Sequence, residues 1–283
     1  MSKISFFSKE DILCPICEEK FKKENMLTGS GRLNAGELSD DLRRYYLPTK
    51  KFGKINPLIY PVTVCPKCFY AAYSQDFDEI PEKNRQILIN DTQNRITFIK
   101  SIFEDINFNK ERGLKEGAAS YLLAIYSYYF FPSSFSPYTK KAVSSLRTAW
   151  LFSDLYEETK DEKYLSLKNL MYKKSYKLFQ EAYEKVEKGK EAFDRIKFGP
   201  DLDKDFGFNG FLYIYVYLFL NYGLDSIHNK EEKIKIIEKM KIIISKVFGI
   251  GKSSKEKTVF LLDKSRAMYD RLNEIQKEIE EKE

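Results

Sequence analysis

The chain has one histidine and four cysteines in 283 residues, which leaves few of the side chains that most enzymes use. His228 sits in a polar stretch beside Asn229, and no cysteine lies outside a single repeated pattern, so the usual nucleophile–base pair has no members. The 42 acidic residues give no way to single out a carboxylate pair. The expectation is a protein that is not an enzyme. Long apolar runs are also missing. The longest, Phe211 to Leu220, has ten residues and is bounded by Asn209, Gly210 and Asn221; a membrane span needs about 20. Met1 to Lys9 contains no apolar stretch of signal-peptide length. Together these absences predict a cytoplasmic protein with no membrane association.

Concentrated charge is the third absence. The net charge is +6, but 12 cations face 11 anions in residues 1–80, 22 face 20 in 81–229, and 14 face 11 in 230–283. No segment carries the basic footprint that drives nucleic-acid binding. What the chain does have is rings: 22 Phe and 20 Tyr, too many to lie on a surface, which suggests a helical protein packed with large side chains. The length suffices for a large core.

The four cysteines form two copies of one pattern, Cys14-Pro15-Ile16-Cys17 and Cys65-Pro66-Lys67-Cys68. A C-x-x-C pair on a tight turn aims two thiolates at one point, and two such turns make a closed site of four sulfurs. The expectation is one structural zinc ion (Zn²⁺) held by Cys14, Cys17, Cys65 and Cys68. Disulfides would need an oxidising compartment, and a thioredoxin-like pair would use one C-x-x-C in a βαβ context. An iron–sulfur cluster uses the same four thiolates, and spacing does not separate it from zinc.

The second knuckle follows Tyr60, Val62 and Val64, which alternate with Pro61 and Thr63 as a strand does; Pro61 marks it as an edge strand. Between the knuckles, Gly29-Ser30-Gly31 predicts a turn and Ser39 to Tyr46 a short helix or turn. Arg43, Arg44, Lys50, Lys51 and Lys54 lie among Tyr45, Tyr46 and Phe52, as on a single-stranded nucleic-acid surface. Asp40 and Asp41 adjoin them, and a solvated loop with two core tyrosines is the plainer expectation.

These residues resemble the bacterial proteins grouped as domain-of-unknown-function family 2225. The resemblance rests on Cys14-Pro15-Ile16-Cys17 with Phe21, on Arg32, Asp41, Tyr45 and Tyr46, and on Asn56-Pro57 and Tyr60. It continues through Val64-Cys65-Pro66-Lys67-Cys68 and Tyr70-Ala71-Ala72. It implies an N-terminal zinc-binding region followed by a helical part similar to tetratricopeptide repeats, and no enzymatic activity. One position departs: where such proteins carry Gly after the second knuckle, this chain has Phe69. Glycine there permits a left-handed turn at little cost, so Phe69 implies strain or a different turn.

Beyond Pro81 the apolar period becomes helical. Tyr172, Tyr176, Phe179, Tyr183 and Val186 form one stripe, as do Val143, Leu146 and Trp150. Ile237, Met240, Ile244 and Val247 form a third, and Leu261, Met268, Leu272, Ile275 and Ile279 a fourth. About seven helices are expected, with breaks at Pro132–Pro137, near Asp161, at Phe198–Gly207, around Gly223 and at Gly249–Ser254. Ala149 with Ser175, Phe179 and Ala182 fits the small-residue pattern of paired repeat helices. The 26 residues from Ala149 to Ser175 exceed a regular spacing, so a plain bundle is the alternative.

Two motifs fail. Gly249-Ile250-Gly251-Lys252-Ser253 lacks the phosphate loop's first glycine, since Lys246 stands there, and reads as a helix stop. Asp201, Asp203 and Asp205 lack the calcium loop's Gly and Glu, where Phe206 and Leu212 stand.

The sequence thus predicts a mainly α chain. Residues 1–80 form a small four-cysteine, zinc-ribbon-like β module with a long insertion between its knuckles. Residues 81–283 form a tetratricopeptide-like helical-repeat domain of about seven helices, rich enough in apolar stripes to fold without the metal. The expected role is a zinc-binding scaffold or adaptor that binds a protein partner through its helices. The alternative is a nucleic-acid (RNA or DNA) binding protein using segment 43–54.

Overall fold

Short extended stretches punctuated by Gly and Pro give hairpins in residues 1–80, and long apolar stripes give helices thereafter. The computed structural model describes residues 3–29, 31–193, 202, 206–249 and 259–281. The fold is mainly α, with small antiparallel strand pairs confined to the N-terminal region.

Among the described residues, eight strands form four antiparallel pairs. β1 (Ser5–Phe7) pairs with β4 (Glu24–Met26), enclosing the pair of β2 (Ile12–Leu13) and β3 (Lys20–Phe21). β5 (Asn34–Leu38) pairs with β6 (Arg44–Leu47), with a register shift between Ala35 and Leu38. β7 (Val62–Val64) pairs with β8 (Ala71–Tyr73). The segment expected to be a short helix or turn from Ser39 to Tyr46 is corrected here: only Ser39 to Arg43 turns, and Arg44 to Tyr46 are strand. Ser39 closes that turn, its N–H donating to the Arg43 carbonyl at 2.9 Å and its hydroxyl accepting the Arg43 N–H at 2.9 Å. The strand before the second knuckle starts at Val62, because Tyr60 ends a 3-10 turn at Pro57–Ile59 whose first amide, that of Leu58, is capped by the Asn56 side chain.

Eight α-helices follow among the described residues: α1 (Glu82–Asn90), α2 (Thr92–Ile102), α3 (Leu114–Ser127), α4 (Pro137–Thr159), α5 (Glu162–Glu187), α6 (Gly207–Leu218), α7 (Lys230–Phe248) and α8 (Val259–Glu281). The expected breaks at Pro132–Pro137, Asp161 and Gly223 are present, and α7 stops at Phe248, just before the failed phosphate motif. Asp91 divides α1 from α2, a break the apolar pattern did not show. Most of the Phe198–Gly207 break, the Asp201, Asp203 and Asp205 motif, and Ile250 to Ser253 lie outside the described residues. Caps come from expected residue types: Asp161 accepts the Lys163 N–H, and Asn229 the Glu232 N–H. The start of α4 is capped from a distance, by Glu191, which accepts the Tyr138 and Thr139 amides at 2.9 and 2.8 Å.

α4 is the centre of the molecule, with seventeen of its 23 residues buried. It packs between α3 and α5 and also meets the N-terminal region. Ala149, Ser175, Phe179 and Ala182 are fully buried, so the small residues do allow α4 and α5 to lie close together. Gly117 does the same for α3: a Cβ there would stand 3.2 Å from the Ile59 backbone. At Gly223 a Cβ would fall 2.7 Å from the Tyr176 ring, so glycine lets the backbone there lie against α5.

Buried apolar side chains run without a gap from Cys14 and Cys65 through Ala119, Leu146 and Phe179 to Leu272. The step from residue 80 to 81 therefore marks a change from strand to helix, while the core continues across it. Polar groups cross it too. Lys140 on α4 is ion-paired with buried Asp76, Tyr128 donates to the same carboxylate at 2.6 Å, and Arg147 donates to the Tyr73 hydroxyl at 3.1 Å.

Candidate metal centre

Each cysteine pair sits on a tight turn that the neighbouring hairpin closes. In the first, the Cys14 N–H donates to the Glu19 carbonyl at 2.9 Å and the Glu18 N–H to the Cys14 carbonyl at 3.0 Å. The second repeats this, Cys65 to Tyr70 at 2.9 Å and Phe69 to Cys65 at 3.0 Å. The Ile16 amide also points at the Cys14 sulfur, 3.4 Å away. Both turns end in a left-handed residue at the same place, Glu18 with φ 59° and Phe69 with φ 56°. The Gly-to-Phe departure thus leaves the turn unchanged and places strain at Phe69. The ring compensates: Phe69 is buried and meets Phe108 edge-on at 5.2 Å.

The two turns bring all four sulfurs within 4.8 Å of one another, the only such group among the described residues. Cys14 and Cys68 sulfurs are 3.6 Å apart, as are those of Cys17 and Cys65. A disulfide would need about 2.05 Å. Four thiolates around a zinc ion at roughly 2.3 Å would stand about 3.8 Å apart, so the donor set and its spacing fit a tetrahedral thiophilic ion. Cys14, Cys65 and Cys68 are buried and Cys17 half-buried. Hydrogen bonds within the group, together with burial, push the Cys14 thiol up to about 12 and Cys68 further up, while the bonds Cys65 receives from them pull it down to about 2. Four thiolates this close would repel one another, and a cation at their centre would offset that repulsion.

One contact ties this centre to α2 and another joins its two turns. Arg95 on α2 donates two N–H groups to the Cys68 carbonyl, at 2.9 and 3.2 Å, and a third to the Leu88 carbonyl at 2.7 Å. Glu19 and Lys67 join the two turns by an exposed ion pair at 3.1 Å. Arg95 was not identifiable beforehand; it lies 27 residues past Cys68, and a lone arginine in a helix carries no signal.

The other predicted residues fall elsewhere. Arg43 is 4% exposed, pairs with Asp154 at 2.5 Å, donates to the Trp150 carbonyl at 3.0 Å and lies over Tyr45. Arg44 is half-buried and donates to the Gly36 carbonyl at 2.8 Å. Lys50, Lys51 and Lys54 are exposed, with Lys51 and Arg32 over the Phe52 ring. His228 is exposed and far in sequence from the sulfurs. Outside the residues singled out from the sequence, the ring-rich run at Tyr126–Phe131 is split, with Tyr128 and Phe131 buried and Tyr129 57% exposed. No described helix is long and apolar enough to cross a membrane.

The chain is 42% identical over 281 residues to an uncharacterised protein of Borreliella burgdorferi, covering 99% of this chain and all of that one. No solved structure matches it. Residues 7–272 match the family described as uncharacterised protein conserved in bacteria (DUF2225). The matched span holds both cysteine turns, the insertion between them and all but the end of α8, and the chain belongs to that family.

Proposed function

We propose that the protein is a cytoplasmic zinc-binding scaffold: one structural zinc ion on Cys14, Cys17, Cys65 and Cys68 holds the N-terminal hairpins against helices that bind a protein partner, without catalysis. The observation that carries this reading is the sulfur group itself, with four protein donors round one point and no place for a water ligand. Such an ion holds structure and does not activate a substrate. Its tie to α2 through Arg95 makes the helical surface depend on it. Reduced, closely spaced thiols suit a reducing compartment. Large apolar side chains left exposed on the helices, Phe98, Tyr129 and Leu170 among them, support a partner-binding role.

Metal analysis of protein purified without added metal tests the first half: one zinc per chain is expected, and a coloured iron–sulfur chromophore or no metal would overturn it. The second half is tested by capture of intact protein from the native bacterium, with and without nuclease. A protein partner that survives nuclease treatment is expected. The second reading, nucleic-acid binding at 43–54, is supported by exposed Lys50, Lys51 and Lys54 around Phe52. It predicts partners lost on nuclease treatment and affinity that falls steeply with salt.

A further inference from the structure

A groove of about 620 Å³ runs across the helical part between α2 and α5. Its floor is α3, through Leu122, Ile125 and Tyr126; Phe98 and Ile102 make one wall, Leu167 and Leu170 the other. A short arm past Phe98 continues it toward Asp91, whose carboxylate is engaged by Arg95 at 3.6 Å. The groove is open, and its edges are large apolar groups facing water: Phe98 is 51%, Tyr129 57% and Leu170 59% exposed. Exposing rings of this size in one place is unusual for a surface with no partner.

The charge is one-sided. Lys173, Lys174 and Lys177 line the α5 wall, all exposed, and no acidic side chain lines the main groove. None of the three has an ion-pair partner among the described residues. Behind this edge, buried Lys141 lies 3.7 Å from the Tyr129 ring centre and is paired with Glu181 at 3.8 Å, so the free charge on the wall is that of the three α5 lysines. On α5, Leu167, Leu170, Lys174 and Lys177 follow helical spacing, so the wall presents an apolar half and then a cationic half. From Leu167 to Lys177 it runs about 15 Å, roughly three turns of a facing helix.

We propose that this groove is the docking site for an acidic amphipathic helix of a partner protein, its apolar stripe lying on Leu122, Tyr126 and Leu170 and its carboxylates along Lys173, Lys174 and Lys177. The proposal rests on the scaffold reading and specifies its binding face. Helix-in-groove recognition uses apolar anchors at i, i+3, i+4 and i+7, and the groove's length and open top suit such a ligand. An enclosed pocket for a small molecule would cover Phe98, Tyr129 and Leu170, which this one leaves in water. The lysines select acidic over basic helices and speed encounter.

The test uses full-length, metal-loaded protein and a displayed library of helical peptides of about four turns. Apolar residues are fixed at i, i+3, i+4 and i+7, and Glu, Lys, Gln and Ser are varied elsewhere. Enriched peptides should carry net negative charge beside the stripe. A labelled peptide from that set should bind roughly tenfold more weakly to Leu170→Glu and to the triple variant K173E/K174E/K177E. The triple variant should instead accept the Lys-for-Glu counterpart. All four positions are exposed, so the variants should melt as wild type does. The groove proposal is overturned if no peptide enriches, if enriched peptides are neutral or basic, or if both variants bind them unchanged. It is equally overturned if dodecanoate, or a second copy of the chain, occupies the groove in their place. A partner captured from cells that still binds both variants would sink the groove and leave the scaffold reading standing. Capture of no protein at all would sink the scaffold reading whatever the peptides do.

Discussion

The Trp150 indole N–H donates to the Asp41 carboxylate at 2.5 Å, joining α4 to the turn between β5 and β6 across 109 residues of sequence. Tyr172 on α5 donates to the same oxygen at 2.8 Å, and Ser39 to the other at 2.5 Å. Burial and this carboxylate raise the Tyr172 hydroxyl well above its ordinary range, so it remains a donor. Beside it, Asp154 binds both Arg43 and Asn56. The insertion between the knuckles is thus fastened to the central helices by two buried carboxylates.

Trp150→Phe keeps an aromatic ring but removes the N–H donor and part of a buried indole, and should cost about 3 kcal/mol. Asp41→Ala should cost more, because it orphans the Trp150, Tyr172 and Ser39 donors together. The double variant should lose less than the sum of the two, as expected for groups in contact. Urea unfolding of the four proteins measures this. Fully additive losses would show that the bond contributes nothing of its own.

Stripping the metal should loosen more than the hairpins. Structural zinc sites supply apparent binding energies on the order of 10 kcal/mol, and the Cys68 carbonyl bound by Arg95 belongs to the site. Chelation or Cys68→Ser should lower the melting temperature and raise amide exchange in α2. Because binding requires thiolates, the ion should be released as pH falls, with protons taken up by the cysteines. Unchanged exchange in α2 after metal removal would break the proposed tie.

Glu18 and Phe69 hold the same left-handed conformation with opposite surroundings: Glu18 is exposed and Phe69 buried against Phe108. Left-handed backbone costs a non-glycine residue roughly 1–2 kcal/mol. Glu18→Gly should therefore raise stability by about 1 kcal/mol. Phe69→Gly relieves the same strain but empties a buried ring site worth about 3–5 kcal/mol, so it should lower stability by about 2 kcal/mol on balance. Thermal melts of the two variants should move in opposite directions.

Residues 81–283 alone should not give a cooperative melt. Their apolar stripes suggest an independent core, but α3 and α4 bury part of their surface on β8, where Tyr73 meets Tyr121 and Ser144, and Lys140 and Arg147 have partners in the removed region. The fragment is expected to be helical by circular dichroism, to bind a hydrophobic dye and to aggregate on heating. A sharp, reversible transition without dye binding would show that the helices need no cover.

Some of this was legible residue by residue. The Pro-containing turns at Cys14 and Cys65 could be recognised because four residues suffice to aim two sulfurs. The helical stripe from Tyr172 to Tyr183 was equally plain, since its period is set within one helix, and so was the break near Asp161. Arg43 and Lys51 show where this stops. Both are cations beside rings in one short segment, yet Arg43 lies inside on Asp154 and Lys51 outside on Phe52. Nothing local distinguishes them, because the deciding carboxylate is 111 residues away. The run from Tyr126 to Phe131 divided for the same reason: Asp76 takes Tyr128 inward, whereas Tyr129 meets the Lys141 ammonium of α4 and stays 57% exposed.

The sequence by itself determined the two cysteine turns, the change from strand to helix near residue 81 and the faces that helices bury, since these follow from turn chemistry and periodicity over a few neighbouring residues. Only the tertiary structure decided that the hairpins and helices share one core, that Arg95 binds behind Cys68, and that α2 and α5 stand apart to leave an apolar, lysine-edged groove. Those outcomes depend on which distant surfaces meet, and pairing energies between elements 27 to 111 residues apart leave no pattern in any single stretch of chain.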